Sequence, residues 1–201
     1  MVTENYKCEG IIPNDASSEE PVNDKRAGFL TRAEQIHSEL KLVQDVYEML
    51  EEVFDPEIPV LNVVEMGIVR DVNVLEANKV EVTITPTYSG CPAMRTIEED
   101  IEEVLREKFI TNYAIKTILS PPWTTDWMTS EAKQKLFDIG ISPPTGTSAD
   151  KNLVMGKTRT IICPQCGSSD TVMVSQFGST ACKSLYKCNM CLEPFDYFKC
   201  I

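Results

Sequence analysis

Cysteine is the residue type best placed to do chemistry in this chain, with 8 among 201 residues, and its spacing sorts the cysteines into groups. Cys163-Pro164-Gln165-Cys166 and Cys188-Asn189-Met190-Cys191 are two C-x-x-C knuckles separated by residues 167–187. Each tight knuckle turns two sulfurs toward one point, and four thiolates complete a tetrahedral shell around zinc. The interval is slightly long for such sites and still suits a zinc ribbon, in which each knuckle tops a β-hairpin. A redox dithiol needs only one such pair, and neither pair precedes a helix in a β-α-β setting. With all four positions filled by protein, the site predicts folding energy and a presented surface rather than catalysis.

Cys91 is a different case. In Thr87-Tyr88-Ser89-Gly90-Cys91-Pro92 it sits where a strand pattern ends and a helix pattern starts. Unpaired amides and the helix dipole at such a terminus favour the thiolate, which is a nucleophile and a soft ligand for iron, copper or zinc. The alternative is a small apolar side chain in a core. One thiolate cannot hold a cluster, so partner ligands or a second copy of the chain, as in a homodimer, are required. Asp55-Pro56-Glu57-Ile58-Pro59 places two carboxylates in a stiff loop. Turn chemistry accounts for most of that pattern, with a ligand role for Asp55 or Glu57 as the other reading. Cys8, Cys182 and Cys200 are left without a role.

Composition excludes several other chemistries. The single histidine, His37, rules out multi-histidine metal sites and makes a serine-hydrolase triad improbable. It does complete one Glu-x-x-His motif with Glu34, but a carboxylate di-iron site needs two. Met155-Gly156-Lys157-Thr158 resembles the end of a phosphate-binding loop, yet position 151 is Lys151 where the first glycine belongs. A formal net charge of −12 disfavours bulk nucleic-acid binding. Within 157–201, Lys157, Arg159, Lys183, Lys187 and Lys199 outnumber Asp170, Glu193 and Asp196, a faint bias that suits a protein partner at least as well as DNA. The longest charge-free run, residues 82–94, is shorter than the ~18 residues a bilayer helix needs, and no secretory signal pattern opens the chain. The expected location is the cytoplasm.

The elements that must position these residues are legible as an α/β (α+β) fold: a small mixed sheet with flanking helices, followed by the ribbon. Residues 1–29 read as a flexible acidic arm. Thr31-Arg32-Ala33-Glu34 fits a capping box, and apolar residues at 33, 36, 40, 43, 47, 50 and 54 continue on one helical face until Asp55-Pro56. Residues 68–74 and 80–85 are β-branched and partly alternating, a hairpin around Glu76-Ala77-Asn78. Cys91-Pro92 opens a second helix with Met94, Ile97, Ile101, Val104 and Leu105 inward, residues 115–119 supply a third strand, and Thr129-Ser130 caps a last helix that Gly140 stops. The domain plan is therefore arm 1–29, domain 30–141, linker 142–158 and ribbon 159–201. The acidic run from Glu98 to Glu103 is the solvated face of the second helix. Trp123 and Trp127 are packing residues.

Taken together, Asp55-Pro56-Glu57-Ile58-Pro59-Val60, Met66-Gly67-Ile68-Val69 and Thr85-Pro86-Thr87-Tyr88-Ser89-Gly90-Cys91-Pro92 resemble the iron-sulfur assembly domain of SufT-like factors. The continuation through Ser120-Pro121-Pro122-Trp123-Thr124-Thr125-Asp126-Trp127, with Phe177-Gly178-Ser179-Thr180-Ala181-Cys182-Lys183 inside the ribbon, resembles the PaaD family of accessory subunits of the phenylacetyl-CoA epoxidase system. The resemblance spans about residues 40 to 201 and implies a maturation role without turnover of its own. It implies Cys91 as an iron or cluster ligand with Asp55 and Glu57 nearby. As client it implies another epoxidase component, the ferredoxin-like reductase being the plausible one. The alternative it leaves is a subunit, structural or catalytic, of the oxygenase complex.

Overall fold

The computed structural model describes residues 31–146 and 160–199. The acidic arm, most of the linker, Cys8 and Cys200 lie outside the described residues. Helix α1 (Arg32–Leu50) begins as its cap dictates: Thr31 Oγ1 accepts from the Glu34 amide while the Glu34 carboxylate accepts from the Thr31 amide at 2.7 Å. Glu34 is thereby engaged in the cap, and His37 is exposed. Of the expected apolar face Leu50 is buried and Val43 and Tyr47 are partly buried, while Ile36 and Leu40 are exposed; Val46, outside that set, is buried as well. The helix also stops at Leu50, short of Phe54, which lies instead in a strand.

That strand, β1 (Phe54–Asp55), pairs antiparallel with β2 (Ile58–Asn62), so the Asp55-to-Pro59 segment is a small hairpin rather than a loop. Its tight corner is stapled by Asp55 Oδ1, which accepts from the amides of Glu57 at 2.7 Å and Ile58 at 2.8 Å. The expected hairpin follows as β3 (Val69–Leu75) and β4 (Lys79–Ile84), joined by a single helical turn at Glu76–Asn78. Helix α2 (Ala93–Glu107) crosses over to β5 (Tyr113–Thr117), which pairs parallel with β4 to complete the order β3-β4-β5. Ile97, Ile101 and Leu105 on α2 are fully buried with Val80, Val82 and Ile84 of β4. Each such side chain contributes about 1.5–3 kcal/mol relative to exposure.

Helix α3 (Ser130–Asp138) is capped by Thr129, whose hydroxyl accepts from the Ala132 amide at 3.0 Å, and ends at Gly140 with φ +86°. Lys135 on α3 ties back to Glu65 at 2.8 Å. Gly67 is required where it stands, because its φ is +69° and a Cβ would lie 2.7 Å from Trp127 Cβ. The Arg70 guanidinium lies over the Trp127 ring, 3.3 Å from its centroid.

The ribbon is not an isolated module. Strand β6 (Ile141–Ser142) leaves α3 and pairs parallel with β9 (Pro194–Phe198), making a four-stranded sheet in the order β6-β9-β8-β7 with β7 (Thr171–Ser175) and β8 (Lys183–Cys188). Phe198 and Cys182 belong to the same buried cluster as α1, α2 and the first sheet. Phe198 meets Trp123 edge to face with ring centroids 6.1 Å apart, and Trp123 in turn donates its indole N–H to the Met66 carbonyl at 3.1 Å. A second, smaller core of Ile161, Cys163, Cys188, Phe195 and Tyr197 fills the ribbon itself.

Candidate functional site

Two constellations of ligand-bearing side chains come out of this fold. At the far end of the ribbon the sulfurs of Cys163, Cys166, Cys188 and Cys191 all lie within 4.8 Å of one another. The knuckles are built alike: the residue after each second cysteine, Gly167 and Leu192, takes a positive φ of 74° and 67°. That conformation costs Leu192 about 1–2 kcal/mol. The backbone of the first knuckle closes with Gly167 N–H donating to the Cys163 carbonyl, and Asn189 is lashed to Asp170 by both its amide and its side chain.

Donor chemistry fits zinc. Bonds of ~2.3 Å in a tetrahedron set sulfurs roughly 3.8 Å apart, and the Cys163–Cys191 and Cys166–Cys188 pairs stand at 3.7 and 3.5 Å. The amides of Cys191 and Met190 point at the Cys188 sulfur at 3.5 and 3.4 Å, and these N–H donors, joined by the neighbouring knuckle thiols, pull that thiol down. All four positions would be protein sulfur, so a zinc here has structure and no substrate as its business.

The second constellation sits where the β1–β2 hairpin, the N-terminal end of α2 and the ribbon meet. Cys91 is half-buried just ahead of α2, and its backbone N–H donates to the Tyr88 carbonyl at 3.1 Å. Asp55 is 6% exposed, with one carboxylate oxygen committed to the hairpin corner. Glu57 lies within electrostatic reach of Asp55, Lys183 and Cys91. Cys91, Asp55 and Glu57, singled out from the sequence, come within electrostatic reach of one another.

The electrostatics there differ from the sequence expectation. Burial pushes the Cys91 thiol up, and Glu57 and Asp55 push it further; the Ala93 amide at the helix start opposes them and loses. The net direction runs against the thiolate that a position before a helix predicts. Burial also raises both carboxyls: hydrogen bonds from the Glu57 and Ile58 amides oppose the shift at Asp55, while Asp55 adds to it at Glu57, and Lys183 lowers both.

One member of this neighbourhood escaped the sequence reading. Cys182 is 4% exposed, and the electrostatics of its thiol feel Glu57, Asp55 and Lys183. Its only sequence signal is negative: it belongs to neither knuckle and follows a Gly-Ser-Thr turn at the start of β8. Beside the site, a cleft of about 250 Å³ is lined by Thr85, Thr87, Tyr88, Leu119, Pro122 and Trp123. Among the described residues no helix is long and apolar enough to cross a membrane.

Comparison with known proteins matches two families along the chain. Residues 43–109 match the family described as "Iron-sulfur cluster assembly protein", and residues 147–199 match the "PaaD zinc beta ribbon domain". An Escherichia coli (strain K12) protein, named as one of the subunits of a "Putative 1,2-phenylacetyl-CoA epoxidase", is 45% identical over 159 residues, covering 79% of this chain and 93% of the relative. A "Fe-S protein maturation auxiliary factor" from Porphyromonas gingivalis (strain ATCC BAA-308 / W83) is 38% identical over 98 residues, covering 48% of this chain and 92% of its own. The crystal structure of a domain of unknown function, DUF59, from Bacillus anthracis superposes with a TM-score of 0.48 at 31% identity, over 50% of this chain and 96% of that one. With an iron-sulfur assembly domain and a PaaD ribbon in one chain, and with that E. coli relative matched along nearly its whole length, the protein belongs to the PaaD family.

Proposed function

We propose that the protein is a maturation factor of a phenylacetyl-CoA epoxidase system, working in the cytoplasm, which takes up iron or an iron-sulfur cluster and passes it to a client component. The observation that supports this most directly is the meeting of Cys91 with Asp55 and Glu57 inside the residues that match the iron-sulfur assembly family. A thiol among carboxylates offers soft and hard donors together, which suits ferrous iron. The metal or cluster is cargo, so no turnover is expected of the chain alone. Zinc on Cys163, Cys166, Cys188 and Cys191 is its resident structural ion. A client with an iron-sulfur centre, such as a ferredoxin-like reductase, matches the cargo. The name of the E. coli relative favours a second reading, a standing subunit of the epoxidase complex.

Anaerobic purification followed by assay of zinc, iron and sulfide per chain tests the proposal, with Cys91→Ser beside the natural protein. Iron uptake should fall in the variant while zinc stays, and only the natural protein should restore cluster absorbance to a metal-free client. Undiminished iron uptake by Cys91→Ser overturns the assignment. Stable co-purification with epoxidase components, without transfer of iron, supports the standing-subunit reading instead.

A further inference from the structure

We propose that the free edge of β7 is a self-association surface, on which β7 of a second copy adds antiparallel across a two-fold axis at Met173 and joins the two ribbon sheets into one. The surface goes beyond the maturation reading by giving the chain a partner of its own kind, held through the zinc ribbon.

In the order β6-β9-β8-β7 the two edges of the sheet are β6 and β7, and they are unlike. β6 is two residues long and its Ser142 is buried, which offers little to a further strand. β7 runs for five residues, Thr171–Ser175, and among the described residues it pairs with β8 alone. Alternate peptide groups along its outer side therefore point away from the sheet with no strand to receive them. Val172, Met173 and Val174 are 48%, 48% and 57% exposed. Successive side chains point to opposite faces, so neither face of the strand is covered. Edges that stay unpaired in solution are blunted by lysine or proline, and this one holds no charge and no proline. Its one irregularity, a bulge between Met173 and Ser175, leaves Val174 without a partner on β8.

The strand's own sequence fits a second copy. Thr171-Val172-Met173-Val174-Ser175 reads nearly the same in both directions. A two-fold axis at Met173 sets Val172 opposite the second copy's Val174, Thr171 opposite its Ser175, and Met173 opposite its own counterpart. β-Branched pairs and hydroxyl pairs are the cross-strand combinations that stabilise antiparallel neighbours. The ends of the pairing match in charge as well. One step beyond the strand the same axis brings Asp170, which Asn189 holds at 2.7 Å, opposite the second copy's Gln176. Gln176 is where Lys199 is anchored: its ammonium donates to the Gln176 carbonyl at 3.3 Å and lies 4.9 Å from the centroid of the exposed Phe177 ring. The axis repeats the contact, so an acid stands toward an ammonium at both ends.

Overall charge favours the same place. With a net charge of −12, two copies repel one another over most of their surface. Residues 157–201 are the stretch where bases outnumber acids, and the uncharged β7 within it is where that repulsion is weakest. The contact is short, about 17 Å at roughly 3.4 Å per residue. A strand pair of that length falls below the roughly 800 Å² per partner of a standard interface, so the association is reversible and depends on concentration.

The test uses the full zinc-loaded chain. Sedimentation equilibrium from micromolar to several hundred micromolar protein should show a monomer–dimer equilibrium. Met173→Glu and Met173→Lys each set like charges face to face on the axis and should raise the dimer dissociation constant roughly tenfold or more. Zinc content and melting temperature should stay near those of the natural protein, because the Met173 side chain is exposed. An equimolar mixture of the two variants should form dimer again, now through an acid–ammonium pair, a recovery that requires an axis at this residue. A natural chain that stays monomeric over the whole range overturns the proposal. So does a dimer that both variants keep, which would lie on another surface, such as the exposed Ile36 and Leu40 of α1. Loss of dimer in each variant without recovery on mixing refutes the two-fold pairing. Should either variant lose zinc, hydrogen exchange of the natural protein decides: the β7 amides must gain protection as concentration rises. Protection that is the same at every concentration means that another segment of the chain covers the edge, and the proposal fails.

Discussion

Phe198→Ala measures how firmly the ribbon is keyed into the assembly domain. The ring is fully buried, packs edge to face on Trp123, and joins the core of the first domain rather than that of the ribbon. Truncating such a ring costs about 3–5 kcal/mol, of which the aromatic pair accounts for about 0.5–1.5 kcal/mol. For a chain of this size each kcal/mol moves the melting temperature by about 2–4 °C, so a fall of about 6–20 °C is expected. Zinc should stay, because the ribbon's own core of Ile161, Phe195 and Tyr197 around two knuckle cysteines is untouched. Cys182, 4% exposed in the natural protein, should become open to alkylating reagents. Differential scanning fluorimetry, metal analysis and timed alkylation give the three readings. A fall under about 3 °C with Cys182 still shielded would refute the shared core, since no buried aromatic removal is that mild unless the site collapses completely.

Three further outcomes are expected. Cys163→Ser should lose zinc and the order of residues 160–199, and should also expose Cys182 and lower the stability of the first domain; atomic absorption with hydrogen exchange checks both effects. Gly67→Ala should destabilise by roughly 2–4 kcal/mol, combining about 1–2 kcal/mol for the left-handed backbone with the clash against Trp127, as read in urea melts. Alkylation of Cys91 in metal-free protein should be slower than that of an exposed cysteine at neutral pH and accelerate as pH rises, because its folded thiol titrates above the ordinary range. Glu57→Gln should speed that reaction severalfold at fixed pH by removing a negative neighbour, and an unchanged rate would show that burial alone sets the thiol.

What could be read from the sequence was what short-range chemistry decides. The Thr31-Glu34 box, the Thr129 cap, the β3–β4 hairpin and the inward face of α2 are set within a few residues of themselves, and each is found. The knuckle spacing is equally local and brings four sulfurs together. Ile36 and Leu40 mislead for the opposite reason: their helical period is right, but periodicity does not say how far along the helix a partner surface extends. The hairpin at Asp55 was hidden because β1 is only two residues long and two prolines flank its corner. Cys182 was hidden because what makes it chemically interesting is a neighbour more than a hundred residues away.

The place of β9 in its sheet has a consequence for synthesis. It lies between β6 and β8, so the strand made last of the four is an inner one, and the groove beside Trp123 stays open until Phe198 has left the ribosome. A nascent chain halted before Pro194 would carry all four knuckle cysteines yet lack Phe195, Tyr197 and Phe198, and so would present to chaperones the apolar surface that these three cover.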